Sequence, residues 1–205
     1  LSSDNYLFGY GFLAGLVVRE VDVEVRVRGC RNLQVFNNHG QLNAAVPFMP
    51  FGPLPTQGAP FVIGSREVFS KQLTRLALDI QWEGLPESGL ESRYRAYGSQ
   101  VTSASFLARL EALNERAWLP ADAAEQALVP LFGAGGREAR CHLDCGRLIP
   151  YIQAADPGPG EVYSPLARGG FIRLRLVEPA GAFGHAAYPQ LMARALTRNA
   201  RLEAL

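Results

Sequence analysis

The sequence predicts a mainly β protein, an antiparallel β-sandwich with a C-terminal α-helix. Residues 21–27 (VDVEVRV) and 73–82 alternate apolar and polar side chains, which is the pattern of a strand with one buried face. Clusters of Gly, Pro and Asn separate further short apolar runs, as turns separate strands. Only residues 188–205 carry apolar side chains at three- and four-residue spacing, which predicts the helix. Several short strands and one terminal helix favour a sandwich with a minor α component.

The first half of the chain is expected to form short strands joined by tight turns. The predicted strands are residues 21–27, 33–36, 42–46, 60–63 and 73–82. Residues 37–40 (NNHG) favour a tight turn, because Asn and Gly tolerate positive φ. Residues 66–71 are expected to form a short helical turn with Ser65 as its N-cap.

A segment rich in Phe and Pro, residues 48–60, connects two of these strands. Its prolines fix the backbone torsion φ and cannot donate ladder hydrogen bonds. Each buried Phe, such as Phe48 or Phe51, removes about 150–250 Å² from water. We therefore expect a rigid crossover whose aromatic side chains are used in packing and not in a reactive pocket.

The second half contains one ambiguous segment, residues 105–113, whose apolar positions fit both a helical stripe and strand alternation. We interpret it as a strand, because Asn114 and Glu115 followed by Trp118 are typical of a turn into a partner strand. Residues 151–168 are expected to form a long loop, since they include the sequence DPGPG. Further predicted strands are residues 140–148 and 171–177, with a short segment at 128–132.

Composition limits the expected partners and compartment. The 205 residues carry 20 basic and 19 acidic side chains without a basic cluster, which argues against a nucleic-acid partner. The apolar run at residues 12–18 is much shorter than the about 20 residues of a membrane-spanning helix, so no membrane span is expected. The 3 cysteines do not make a disulfide framework, which fits assembly in a reducing cytoplasm.

Cys141, His142 and Cys145 invite the hypothesis of a zinc site, since thiolates and imidazoles are zinc ligands. On a strand, however, the two cysteines share one face while His142 points to the other. Two small buried thiols are therefore the favoured interpretation, and Cys30 is also interpreted as a core residue. No metal ligand is predicted.

Asp79, Glu83 and Glu67 could be imagined as the paired carboxylates of a glycosidase. Asp79 lies on the polar face of residues 73–82, where a solvated charge is expected, and Glu83 adjoins a turn. Glu67 and Lys71 favour a weak helical ion pair. No catalytic residue is predicted, and the chain is not expected to be an enzyme.

Aromatic side chains could instead line a sugar platform. The candidates are Trp82, Trp118, Tyr94, Tyr97 and Tyr163. Trp82 falls on the apolar face of its strand, which favours core packing. His39 is interpreted as a turn residue and His185 as a capping or buried residue. No cofactor and no small-molecule substrate are predicted.

Several motifs recur in an order that resembles a known protein family. They are PFGPxP at residues 50–55, FVIGSREVFSKxLTxLxLDIxW at 61–82, GLP at 84–86, SFxxxxxxL at 105–113, Trp118, Leu131 with Phe132, GGFIRLRL at 169–176 and AFGHAAYPQL at 182–191. In these motifs the chain is similar to the baseplate J-like proteins of contractile injection systems and phage-derived tails. The resemblance spans most of the chain and rests on the order and spacing of the motifs. It implies a wedge-type structural protein with no catalytic residues to carry over.

The chain is expected to be a piece of a longer protein, because it begins at Leu1 without an initiator Met and ends at Leu205 in the middle of a helical pattern. Residues 1–18 are expected to enter from a preceding domain, and residues 19–180 to form the sandwich. Residues 181–205 are expected to lead, as a helical segment, to a following domain. Candidate contact regions are the crossover at 48–60, the loop at 157–160 and the terminal helix.

The expected function is that of a structural baseplate component that acts through protein–protein contacts. Its partners would be other baseplate and tail subunits, with further copies of itself as an additional option. It would be cytoplasmic during assembly and then part of a tail-like particle. Two alternatives stay open: a carbohydrate-binding β-sandwich for host or cell-wall recognition, and an enzyme whose site is unrecognised.

Overall fold

Short strands make up most of the described part of the chain. The computed structural model describes residues 27–30, 32–53, 55–83, 102–120, 128–132, 140–154, 163–178 and 197–204. The strands in these ranges are β1 (Val27–Cys30), β2 (Gln34–Asn37), β3 (Gly40–Leu42), β4 (Pro60–Gly64), β5 (Leu76–Trp82), β6 (Leu107–Asn114), β7 (Ala117–Pro120), β8 (Leu128–Pro130), β9 (Arg140–Asp144), β10 (Phe171–Glu178) and β11 (Thr197–Ala204). The helical elements are α1 (Arg66–Phe69), α2 (Ile149–Ala154) and the 3-10 turns Ser103–Ser105 and Gly146–Leu148.

The strands form two antiparallel sheets. The small sheet has the order β1-β11-β5-β9. The large sheet has the order β3-β2-β4-β10-β6-β7, and β8 pairs with the part of β6 that precedes the β7 pairing. The predicted fold class, mainly β with antiparallel sheets, is confirmed.

One hydrophobic core lies between the two sheets. From the small sheet it receives every second residue of β5, from Leu76 to Trp82, and from the large sheet it receives Ile172, Leu174 and Leu176 of β10. The alternation predicted for residues 73–82 therefore marks the inward face of β5, as expected, and β10 alternates in the same way. Two sheets that share a core in this way make a sandwich.

The predicted terminal helix at residues 188–205 needs a correction at its end. Thr197–Ala204 form β11, which pairs with β1 on one side and with β5 on the other. Two neighbouring strands offer a complete set of ladder hydrogen bonds, and such tertiary context overrides a helical spacing of apolar residues. Residues 188–196 lie outside the described residues, as does the expected boundary near residue 18. β11 adds residues 197–204 to the small sheet.

The ambiguous segment at residues 105–113 is a strand, as predicted. It forms β6, and Asn114 pairs with Ala117 to close a two-residue turn into β7. Glu115 and Arg116 both have positive φ, at 46° and 69°, which is the backbone of a primed hairpin turn. The predicted loop at 151–168 is wrong at its start, because residues 151–154 belong to α2.

The Phe- and Pro-rich crossover packs onto the large sheet. The rings of Phe48 and Phe51 lie 5.7 and 6.1 Å from the ring of Phe61 on β4. The Gly58 N–H donates to the carbonyl of Leu176 at 2.8 Å, which ties the end of the crossover to β10. The crossover is thus part of the core, in agreement with the role expected for its aromatic residues.

Gly64, the last residue of β4, gives a first test of how tightly β4 and β10 pack together. It faces Phe171 across the β4–β10 ladder, and a Cβ at this position would stand 2.5 Å from Phe171 Cδ1. We expect Gly64→Ala to lower the free energy of unfolding by about 1–3 kcal/mol, because the buried ring has to move. Urea denaturation measures the change. Adding Phe171→Leu should recover part of the loss, and an unchanged urea midpoint for Gly64→Ala alone would contradict the packing.

Candidate functional site

The outer face of the large sheet carries an unusual set of charged residues. Outward positions of β10 hold Arg173 and Arg175, and those of β6 hold Arg109 and Glu111. The strand register places Arg173 opposite Glu111, and Arg175 opposite Arg109. Side chains that are directly opposite on one face of an antiparallel pair lie close enough to interact.

Glu111 is the centre of this set. It is only 4 % exposed, and its carboxylate accepts hydrogen bonds from Arg173 Nε at 2.5 Å and from an Arg175 Nη at 3.4 Å. The Arg173 guanidinium also lies over the Trp118 ring, 4.3 Å from its centroid. A buried carboxylate needs such partners, because an unpaired charge away from water is costly.

Sequence reasoning missed this cluster. The sequence predicted residues 171–177 as a strand but assigned no role to their arginines or to Glu111. The missing information is the register between β6 and β10, which joins residues 62 positions apart. The only local signal was a charged residue within an apolar segment, Glu111 between Leu110 and Ala112.

An aromatic cluster adjoins the charged set on the same face. Phe36, Tyr163 and Phe171 pack with ring centroids 5.3–6.3 Å apart, and Trp118 lies 6.2 Å from Tyr163. The segment that contains Tyr163 is fastened by an ion pair between Arg168 and Glu115. Residues 163–170 therefore cover part of the outer face, and the arginines lie beside this covered part.

Trp82 is not part of an open platform. It is 2 % exposed, its indole Nε1 donates to the carbonyl of Leu131 at 2.6 Å, and its ring packs edge-on against Phe132 at 5.3 Å. Trp118 and Tyr163 lie on the other side of the large sheet. The sugar-platform candidates are thus divided between the core and the outer face, and Tyr94 and Tyr97 lie outside the described residues.

The thiol of Cys141 is buried on the inner face of β9, and that of Cys145 is buried directly after the strand, at the start of the 3-10 turn Gly146–Leu148. His142 is exposed on the opposite face, where its Nδ1 lies 2.7 Å from an Asp79 carboxylate oxygen. His142 therefore lies on the opposite side of the small sheet from the two thiols, because successive side chains of a strand point to opposite faces. Cys30 is also buried, with its sulfur 3.7 Å from Ser65 Oγ.

Burial raises the pKa of the Cys141 thiol from 9.0 to about 12, and the nearby charge of Asp79 adds to the rise. The pKa of Cys145 is raised to about 12 by burial and by Asp144. Both thiols stay protonated in the folded protein at neutral pH, which makes them poor nucleophiles and poor metal ligands.

These shifts predict a loss of stability in alkali. Above pH 9 the thiols ionise in the unfolded chain but not in the folded one, so the free energy of unfolding should fall between pH 9 and about 12. Below pH 9 the contribution is fully present. Urea denaturation at a series of pH values measures the slope, and the variant Cys141→Ala, Cys145→Ala should show a smaller slope. An equal slope in the variant would contradict the assignment.

The other candidate polar residues do not form a shared site. Asp79 pairs with His142, whereas Glu67 on α1 pairs with Lys71 at 3.7 Å. His39 is an exposed turn residue whose N–H donates to the Asn37 side chain at 2.8 Å, as its turn assignment requires. His185 lies outside the described residues.

The expected contact regions are only partly available to a partner. In the crossover at residues 48–60, Phe48 and Phe51 are 8 % and 2 % exposed, so partners can reach its backbone and polar side chains but not these rings. The loop at residues 157–160 lies outside the described residues. Residues 197–204, at the end of the expected terminal helix, form β11 instead, which lies between β1 and β5 in the small sheet.

Comparison with known proteins gives no family. No protein-family model matches the chain, and no curated protein matches it. In the described ranges, no helix combines the length and the hydropathy of a membrane-spanning segment. In the same ranges, no group of three His, Cys, Asp or Glu side chains could hold a metal ion.

Proposed function

We propose that this chain is a structural component of the baseplate of a contractile tail or injection system, and that it acts through protein–protein contacts. The proposal starts from the ordered motifs that resemble the baseplate J-like proteins. Supporting it, residues from separate motifs meet in one core, including Phe51 of PFGPxP, Trp82 at the end of the long motif and Leu174 of GGFIRLRL. The motif residues are used to build the sandwich, and this observation carries the proposal.

The mechanism we propose is mechanical. Two packed sheets, with the crossover at residues 48–60 packed onto the large one, form a stiff block. Close-packed cores transmit strain and deform little. Such a block would present its outer face and loops to neighbouring subunits. Rearrangement of the baseplate would then shift these interfaces when the sheath contracts. The chain would assemble in the cytoplasm, have no catalytic role and remain in the particle.

Locating the chain in assembled particles tests this proposal. An affinity-tagged chain is produced together with the sheath, tube and spike proteins of the same genome, and sedimented particles are imaged by cryo-electron microscopy. We expect density for the sandwich in symmetric copies at the baseplate. Lys71→Gln, which removes an ion pair and a hydrogen bond to Glu67 at the protein surface, serves as the matched control and should be incorporated normally. Particles that assemble fully without the chain would reject the proposal.

A carbohydrate-binding module is the second candidate, favoured by one observation. Trp118 is half-buried on the outer face, next to Tyr163, so an edge of this aromatic pair reaches solvent. Calorimetric titration with cell-wall glycans distinguishes this candidate from the first. Binding that is lost in a folded Trp118→Ala variant would support it, whereas Trp82 is too deeply buried to take part.

A further inference from the structure

Three arginines share the outer face of the large sheet with one buried carboxylate, which pairs with two of them. We call Arg109, Arg173 and Arg175, together with Glu111, the arginine surface. Three guanidinium groups against one carboxylate leave an excess of two positive charges, although the chain as a whole carries a net charge of only +1. The excess is therefore local, and it is created by the pairing of β6 with β10.

The excess charge is not neutralised within the described part of the chain. Glu111 uses both carboxylate oxygens, one for Arg173 and one for Arg175. In the described residues Arg109 has no acidic partner, and Arg175 Nε is buried without a hydrogen-bond acceptor. Arg109 and Arg175 are opposite each other in the ladder, and like charges in this position destabilise a sheet.

The arginines are also partly desolvated, which makes them receptive to an incoming anion. The side chains of Arg173 and Arg175 are 19 % and 33 % exposed, so each guanidinium has lost much of its water but can still be reached. A carboxylate that approaches from solvent would supply the missing counter-charge for Arg109 and would accept from the part of the Arg175 guanidinium that solvent reaches, since the buried Nε is out of its reach. Charge-assisted hydrogen bonds of this kind are about twice as strong as neutral ones.

The surroundings of the arginines favour a protein as the source of that carboxylate. Pro120 of β7 is opposite Glu111, Leu128 of β8 is opposite Arg109, and the Trp118 ring lies under Arg173. Arginine and tryptophan beside apolar residues are typical of the centre of a protein interface. A nucleic acid is disfavoured, because the cluster is small, encloses a carboxylate and does not continue as a basic stripe.

We propose that the arginine surface is a docking site for an extended acidic segment of a partner protein. One of its carboxylates would bridge Arg109 and Arg175, which lie directly opposite each other in the β6–β10 ladder. This inference shares with the proposed function the idea that the chain acts through protein contacts. It needs no contractile tail, so either can fail without the other.

A binding assay with a defined probe tests the inference. The probe is a fluorescein-labelled peptide of alternating Glu and Thr, and fluorescence anisotropy measures its binding to the folded chain. We expect binding that weakens as salt is added and that is absent for the same peptide with Gln in place of Glu. Arg109→Gln should weaken binding about tenfold, while Arg140→Gln, which changes an exposed arginine on the small sheet, should leave it unchanged.

Charge reversal at Arg109 separates binding from folding. Arg109→Glu gives Arg175 an opposite charge in place of a like one, so we expect this variant to melt at a higher temperature and to lose peptide binding. A stabilised variant that still binds the peptide would overturn the proposal. So would the absence of arginine-dependent binding up to about 1 mM peptide. Tighter binding of a labelled single-stranded oligonucleotide, lost in the same variants, would also overturn it and assign the surface to nucleic acid.

Discussion

Replacing Trp82 by Ala is expected to lower the free energy of unfolding by about 3–5 kcal/mol, one of the largest losses that a single core substitution produces. The ring is almost fully buried in the core at the end of β5 and packs edge-on against Phe132. Truncation also leaves the carbonyl of Leu131 without the indole N–H that it accepts at 2.6 Å. Both effects act in the same direction.

Urea denaturation followed by far-UV circular dichroism measures this loss. Trp118→Ala is the matched control, because the same side chain is removed from a half-buried position on the outer face. Its loss should be clearly smaller and should come from the contacts with Arg173 and Tyr163. Equal losses for the two variants would mean that Trp82 is not the core residue that the structure shows.

Replacing Glu111 by Gln should lower the free energy of unfolding by about 3 kcal/mol, because it leaves partly buried arginines without their counter-charge. The carboxylate is the acceptor for both Arg173 and Arg175. Gln has nearly the same size as Glu and keeps one acceptor oxygen. The lost stability therefore measures the missing charge and not the formation of a cavity. Thermal unfolding at low salt measures the change.

Glu115→Gln provides the control for this charge effect. Glu115 also pairs with an arginine, Arg168, but both side chains are more than half exposed. Exposed ion pairs contribute about 1 kcal/mol or less, so this variant should stay close to the parent. If Glu111→Gln changed stability as little as Glu115→Gln, the central role of the buried carboxylate would be wrong.

These two predictions also have consequences for function. If the aromatic residues serve to make a stiff block, truncating a core Trp should destabilise the whole fold. The effect should not be limited to the binding of a ligand at one site. The buried Glu111 has a different role, because its carboxylate positions Arg173 and Arg175 on the outer face, where we propose that a partner protein binds. The pairing of β6 with β10 therefore contributes both to the stability of the fold and to the proposed recognition of a partner.

Local sequence patterns were sufficient for most of the strands. The alternation in residues 73–82 predicted which side chains of β5 face the core, and Ser65 was identified as the cap of α1, where its Oγ accepts from Val68 N at 3.4 Å. The turn at Asn114 and Glu115 resolved the ambiguity of residues 105–113 in favour of a strand. In each case residues near one another in sequence determine the backbone conformation.

The sequence by itself determined the fold class, the inward and outward faces of the main strands and the use of the proline-rich crossover in packing. Only the tertiary structure decided that residues 197–204 form a strand between β1 and β5, that Arg173 and Arg175 pair with Glu111, and that Arg109 lies opposite Arg175. The physical reason is the distance along the chain over which each kind of interaction acts. Periodicity and turn chemistry act over a few residues, whereas strand register and charge clusters arise between segments that are far apart in the chain and meet only when the sheets form.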